Sequence, residues 1–254
     1  AEITFRRTLQ LDPTDERTIG TLTSLLEQQG RYKEAIQVFV EALEVRPESP
    51  SYMLTMAKLY LKDGDEKAAE AYIDQLRSAD PDNASYIARA YMEINLHKRA
   101  IAELEKVLKR RPDMASERLL LAYLYQDQKQ WEQALTHLRQ VPKDSRFYLN
   151  AQSSIGFSLL QLDKLDEARK VLKDALSLAR SEADLSRIHR NLAAVYAKAR
   201  QFKECLRLLD DAMRAHPELT DLLEAKAALL IEAKRGAEAI ALMHRALKKK
   251  PNDS

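Results

Sequence analysis

Five histidines and a single cysteine are the residues of this 254-residue chain best suited to hold a metal or move a proton. His97, His137, His189, His216 and His244 show no i, i+4 pairing with each other and no cysteine partner at metal spacing, so no zinc or iron site is expected. His189 stands at a packing position of a predicted first helix, which predicts a buried or half-buried structural imidazole rather than a catalytic one. Cys205 has no second cysteine to pair with, excluding an intrachain disulfide. Acidic residues stand four positions before a cation in Glu105 with Lys109, Asp166 with Lys170 and Asp210 with Arg214, a spacing that predicts solvated ion pairs along helix faces rather than acid–base chemistry. No glycine-rich phosphate loop, nucleophile elbow or strand-borne triad is present, so neither a cofactor nor catalysis is expected.

Charge narrows the remaining classes. Lys plus Arg number 41 against 39 Asp plus Glu, and a net charge of +2 gives little pull toward nucleic acid or an anionic membrane. The basic clusters Lys109 to Arg111 and Lys248 to Lys250 each precede a proline, where last-turn cations complement a helix dipole. No apolar run is long enough to span a bilayer. The cysteine usage agrees with a reducing, cytoplasmic-type compartment and leaves the periplasm open.

The elements that must position any binding surface are set by an internal period. Prolines 13, 47 and 81 are 34 residues apart, as are Pro217 and Pro251. A small residue recurs at Ala35, Ala69, Ala100, Ala134, Ala168, Cys205 and Ala239, in steps of 34, 31, 34, 34, 37 and 34. Such a period marks a repeat architecture. Within it, apolar residues recur at helical spacing on two consecutive segments, as in Ile19, Leu22 and Leu26, then Ile36, Phe39 and Leu43 after the break at Gly30 and Arg31. Two amphipathic helices joined by a short turn follow. Small residues such as Ala57, Ala88, Gly156 and Ala193 let the helices of a pair approach closely, and larger ones such as Phe39, Ile73, Leu104 and Leu172 fill the space toward the next pair.

These residues resemble the tetratricopeptide repeat. Leu121, Ala122, Tyr125, Ala134 and Leu138 match its pattern in one period, and Leu192, Ala193, Tyr196, Cys205, Leu209, Ala212 and Pro217 match it in another. In that register Cys205 is a small apolar filler, and Trp131 lies in the turn before the alanine slot, as do Tyr32 and Phe202. The resemblance implies an all-α chain, a right-handed α-solenoid of stacked antiparallel helix pairs. The single array divides into a half repeat at 1–15 and repeats at 16–49, 50–80, 81–114, 115–148, 149–185, 186–219 and 220–254. Because the array opens inside a helix pair and leaves Ile240 and Met243 uncovered, the chain is expected to be a segment of a longer protein. Pro142 predicts an early end near Val141 for one second helix. Three extra residues around Ala183 to Leu185 interrupt the following spacing, and Lys226 occupies a core leucine slot, predicting a partly exposed end.

In proteins similar to this one, the first helices of successive pairs line a concave groove that holds a peptide or protein segment. Transferred position by position, the groove comprises Arg17, Ser24 and Gln28, then Lys58 and Lys62, then Tyr86, Arg89 and Met92. It continues through Leu119, Tyr123 and Gln126, then Asn150, Ser153, Phe157 and Leu160, and then Arg187, Arg190, Asn191 and Lys198. Tyr123 and Phe157 are surplus to the stacking stripe of Leu121, Tyr125, Ile155 and Leu159. They are either contact residues or packed on adjacent first helices. Arg187 and Arg190 either face the partner or pair with Asp221 and Glu224. The clamp with which related co-chaperones hold acidic carboxyl termini is mostly missing, the nearest set being Leu119, Tyr123, Ser154, Arg187 and Asn191. The expectation is a non-catalytic scaffold for a protein or peptide partner. The alternative is the substrate-recruiting region of a larger enzyme. Oligomeric state and partner identity are not encoded in these features.

Overall fold

The structure, a computed structural model, describes residues 1–45, 49–80 and 83–249, with the side chains of 43–45, 245 and 247–249 outside the description. The prolines at 47, 81 and 251, Lys250, and the side chains of Leu43, Lys248 and Lys249 therefore lie outside the described residues. What is described is helical, without a strand. In chain order the helices are α1 (Glu2–Leu11), α2 (Glu16–Gln28), α3 (Tyr32–Val45), α4 (Pro50–Asp63), α5 (Glu66–Ala79), α6 (Ala84–Glu93) and α7 (His97–Arg110). They continue as α8 (Ala115–Asp127), α9 (Trp131–Leu138), α10 (Tyr148–Gln161), α11 (Leu165–Leu178), α12 (Glu182–Lys198), α13 (Phe202–Ala215), α14 (Asp221–Glu232) and α15 (Gly236–Lys249). The chain forms two compact units, one over residues 1–112 and one over residues 113–254.

One turn makes every pair. The seven described residues with positive φ are Gly30, Gly64, Asn95, Lys129, Asp163, Arg200 and Lys234, and each stands between the two helices of a pair. The residue that follows donates its N–H back into the first helix: Arg31 to Leu26, Asp65 to Tyr60, Leu96 to Tyr91, Gln130 to Tyr125, Lys164 to Leu159, Gln201 to Tyr196 and Arg235 to Leu230. This left-handed closure satisfies carbonyls that a helix end otherwise leaves unpaired, and it reverses the chain in two or three residues. Only two of the seven are glycines, so elsewhere packing holds an L-residue in a region costing about 1–2 kcal/mol.

Within the first unit α2 packs on α3, α4 on α5 and α6 on α7, with α3 also packing on α4 and α1 on α2. Ile19, Leu22, Leu26, Ala35, Ile36, Phe39, Tyr52, Met56 and Leu59 form its largest core, and Phe5 of α1 leans on it. Within the second unit α8 to α15 pair in the same way, with α10·α12 and α12·α14 as neighbouring first helices. Leu121, Ile155 and Leu192 are the equivalent core residues of α8, α10 and α12. Gly156 and Ala193 are buried, Gly156 against Leu172 of α11 and Ala193 beside Cys205 of α13.

Several sequence expectations need correction. Helix α9 ends at Leu138 rather than near Val141, with Val141 still packed inside. The extra residues at Ala183 to Leu185 are taken up within a helix: they lie in the first turn of the 17-residue α12, capped by the Ser181 side chain on the Asp184 N–H at 3.1 Å. Helix α12 therefore begins within the segment 149–185. Trp131, Tyr32 and Phe202 open second helices rather than sitting in turns. Asp166 pairs with Arg169 instead of Lys170, and Asp210 pairs with Lys226 while Arg214 takes Asp211 at 3.1 Å. A side chain four residues along is reachable, but a rigid guanidinium fork at i+3 or a half-buried ammonium across the interface offers the better geometry.

Candidate partner-binding surface

The first helices carry the candidate residues, and the heptad-like spacing of the core stripe decides which side chains are left over. In the first unit, Ala84, Ile87, Ala88 and Tyr91 turn α6 inward, so Tyr86 and Arg89 point out and Met92 is half-buried. Tyr86 is 62% exposed. Arg89 is exposed and has no ion pair among the described residues. The neighbouring cations are occupied: Lys58 bonds Glu93 at 2.7 Å and Lys62 bonds Glu27 at 2.7 Å, each bridge joining first helices of adjacent pairs. Arg17, Ser24 and Gln28 are exposed.

In the second unit, Tyr123 of α8 and Phe157 of α10 occupy equivalent positions 34 residues apart and are 38% and 36% exposed. The rings of Phe157 and Trp131 pack edge-to-face, with centroids 5.8 Å apart and planes at 80°, so part of the half-exposed Phe157 ring is supported from within the protein. The sequence marks Trp131 as a packing residue, and the structure supplies its partner, the Phe157 ring. The 34-residue step from Tyr123 to Phe157 reaches Ala194 after a 37-residue step and then Ala228, both exposed, so the aromatic row ends in small residues. Leu119 and Leu160, expected on the same surface, are only 6% exposed and serve the core.

The polar members are tied to one another across successive first helices. Arg187 donates to Asn150 Oδ1 at 2.8 Å and to Asp184 at 2.6 Å. Asn191 donates to Ser153 Oγ at 3.2 Å, and Lys198 to the Leu160 carbonyl at 3.0 Å and to Asp163 at 3.2 Å. Gln126 donates to the Ser154 carbonyl at 3.0 Å and Ser158 Oγ at 2.8 Å. Arg187 thus takes neither Asp221 nor Glu224. Arg190 approaches Asp221 loosely, at 3.8 Å and well exposed, and Asp221 also accepts from Ser186. The surface therefore combines a rigid polar lattice with two aromatic rings and one loosely held cation.

Cys205 and His189 are both interior groups. Burial pushes the Cys205 thiol up to about 12, with the negative Glu232 adding to the effect, and its Sγ donates to the Ala193 carbonyl at 3.3 Å. Burial lowers His189, whose Nδ1 lies 2.8 Å from the Leu185 carbonyl. Among the described residues, no His, Cys, Asp and Glu side chains are grouped as metal ligands, and no helix is long and apolar enough to cross a membrane.

Comparison with known proteins places these features in context. Family models described as tetratricopeptide repeat match residues 26–94 and 149–182, and a model for anaphase-promoting complex, cyclosome, subunit 3 matches residues 62–141. Cellulose synthase operon protein C of Pseudomonas fluorescens (strain SBW25) is 24% identical over 261 residues, which cover 94% of this chain and 20% of that protein. The chain thus spans about a fifth of that curated relative's length. A tetratricopeptide repeat protein from Parabacteroides merdae superposes with a TM-score of 0.61 at 16% identity, over 78% of this chain and 79% of its own. The C-terminal part of a TPR repeat-containing protein from Cytophaga hutchinsonii superposes with a TM-score of 0.60 at 16% identity, over 91% and 95%.

Proposed function

Because the chain belongs to the tetratricopeptide-repeat family, whose arrays are protein-interaction scaffolds, we propose that it is non-catalytic and holds an extended or helical segment of a partner protein on the inner faces of its first helices. The observation that carries this reading is the pair Tyr123 and Phe157, half-exposed rings on consecutive first helices that the stacking core does not use. Aromatic anchors on a rigid base lose little entropy on binding, and Trp131 provides that base for Phe157. Asn150, Arg187 and Asn191 form a preorganised polar rim, and Arg190 is held only loosely by Asp221, which leaves it free to turn to a partner carboxylate. Tyr86, Arg89 and Met92 form a separate candidate patch on the first unit. Leu119 and Leu160 contribute only by supporting the surface from beneath.

The test is capture of the partner from the source cell extract, compared with a Tyr123→Ser, Phe157→Ser variant. Loss of a specific captured protein in the variant, with helicity unchanged, supports the reading. Unaltered recovery removes it.

A second reading is motivated by the similarity to a protein named for a cellulose synthase operon, of which this chain spans a fifth. In it the array is the recruiting region of a longer protein that serves a polysaccharide synthase or another enzyme. A catalytic domain in the flanking sequence would favour the enzyme form of this reading.

A further inference from the structure

One inner-face row of the second unit differs in charge from its neighbours. The equivalent positions are Leu119, Tyr123 and Asp127 on α8, then Ser153, Phe157 and Gln161 on α10. They continue as Arg190, Ala194 and Lys198 on α12 and as Glu224, Ala228 and Glu232 on α14. Only α12 sets cations in this row, and it sets one at each end. Residues four apart lie on one helix face about 6 Å apart along the axis, so Ala194 stands midway between Arg190 and Lys198. All three are exposed. Where α10 presents the Phe157 ring, α12 presents only a methyl group. Arg190 makes no hydrogen bond among the described residues, and the carboxylate 3.8 Å away, Asp221, already accepts from Ser186. Lys198 is tied to the Leu160 carbonyl and to Asp163, whose side chain is 72% exposed, a bridge for which solvent competes.

We propose, resting on the scaffold reading above, that α12 selects an extended partner segment in which a large apolar residue has an acidic residue two positions before it and another two positions after it. The apolar side chain lies over Ala194 on the Phe157 side, and the two side-chain carboxylates meet Arg190 and Lys198. An extended chain puts alternate side chains on one face about 6.6–6.8 Å apart, close to the step along α12. A helix, about 10–12 Å across, is wider than the roughly 8–10 Å between packed neighbours and carries its carboxylates over Glu224 and Glu232. Those two acids, 34 residues beyond Arg190 and Lys198, repel the same pattern on α14 and so fix where along the row the segment lies. Because the charges recognised belong to side chains, the segment is internal and needs no free carboxyl end.

The probe is an amidated peptide, Gly-Ser-Glu-Ser-Phe-Ser-Glu-Ser-Gly, with fluorescein on its amino end. Anisotropy with the 254-residue protein is expected to show saturable binding that weakens with added salt. Affinity should fall by about tenfold or more when both peptide glutamates become glutamine, and again in an Ala194→Phe protein, which fills the space over α12 without changing charge. An Arg190→Glu, Lys198→Glu protein should lose the acidic peptide and prefer one with lysine in place of both glutamates. All three substituted positions are exposed, and helicity checks that each variant folds. Absence of binding overturns the proposal, as does equal binding of the glutamine peptide or a charge-reversed protein whose preference does not switch. A partner captured from cell extract that is lost with Tyr123→Ser, Phe157→Ser but kept with Ala194→Phe and with Arg190→Glu, Lys198→Glu leaves the scaffold reading standing and overturns this one.

Discussion

Leu172 fills the space that a side chain at position 156 would need: a Cβ built on Gly156 lies 2.4 Å from both Leu172 Cγ and Cδ2. Gly156 is on α10 and Leu172 is on α11, so this contact sets how closely the two helices of that pair approach. Leu172 is fully buried, so a side chain at 156 would have to displace a packed one. Replacing Gly156 by Ala gains about 1 kcal/mol of helix propensity but overpacks the core by about 1–3 kcal/mol. The expected outcome is net destabilisation in urea unfolding of the second unit. Leu172→Ala is destabilising by itself but relieves the clash, so the double variant should be less destabilised than the sum of the singles.

The left-handed residue at each pair turn predicts a stabilising change. Lys129 is exposed at φ 58° between α8 and α9. Lys129→Gly removes the Cβ strain without touching the core, and a gain of about 0.5–1 kcal/mol in chemical unfolding is expected. A loss of stability would show that the Lys129 side chain contributes more than its backbone costs.

Arg77 and Glu103 couple α5 to α7. The Glu103 side chain is 5% exposed and accepts from Arg77 Nη2 at 2.5 Å and Nε at 3.2 Å, while Arg77 also bonds Glu70 at 2.8 Å and Asp74 at 2.6 Å. Arg77→Met strands the Glu103 carboxylate, with Lys106 as its remaining partner at 3.2 Å, and is expected to cost about 3–5 kcal/mol. Glu103→Gln keeps a hydrogen-bonding side chain and leaves Arg77 two carboxylates, so its cost should be smaller, about 1–2 kcal/mol. Unfolding curves of the two variants give the order directly.

Cys205 should behave as a buried core atom. Its thiol, pushed up to about 12, is almost entirely protonated at pH 8 and out of contact with solvent. Reaction with a colorimetric disulfide reagent is therefore expected only at the rate at which the α12–α13 pair opens, rising steeply with denaturant. Fast labelling of the native protein would contradict the packing around Ala193.

His189 gives stability a pH dependence whose sign is set by burial. Burial lowers the folded-state value below the ordinary 6.5, and proximity to His216 acts in the same direction. Below about 6.5 the unfolded chain binds a proton that the folded chain resists. The contribution is therefore complete above that pH and is lost as pH falls toward the folded-state value, at up to about 1.4 kcal/mol per pH unit. The stability difference between the parent and a His189→Leu variant, measured by urea unfolding at pH 7.5 and pH 5.5, should shift in favour of the variant at the lower pH.

Sequence alone was sufficient for the helix pairs and the small-residue slots, because a 34-residue period with helical substructure calls for two stripes that bury each other. It also identified His189 and Cys205 as interior residues, since each stands in a slot that elsewhere holds a packing side chain. The fate of the inner-face residues required tertiary structure. Arg187 reaches Asn150, Asn191 reaches Ser153 and Lys198 reaches the Leu160 carbonyl across 37 or 38 residues of chain, and whether such atoms meet depends on how one pair stacks upon the next. The same stacking buried Leu119 and Leu160, left Tyr123 and Phe157 half in solvent, and drew Asp210 away from Arg214 to Lys226. Periodicity names the face of a helix on which a side chain lies. The distance and tilt between neighbouring helices, set by packing such as Leu172 against Gly156, decide which side chains on that face remain free to bind.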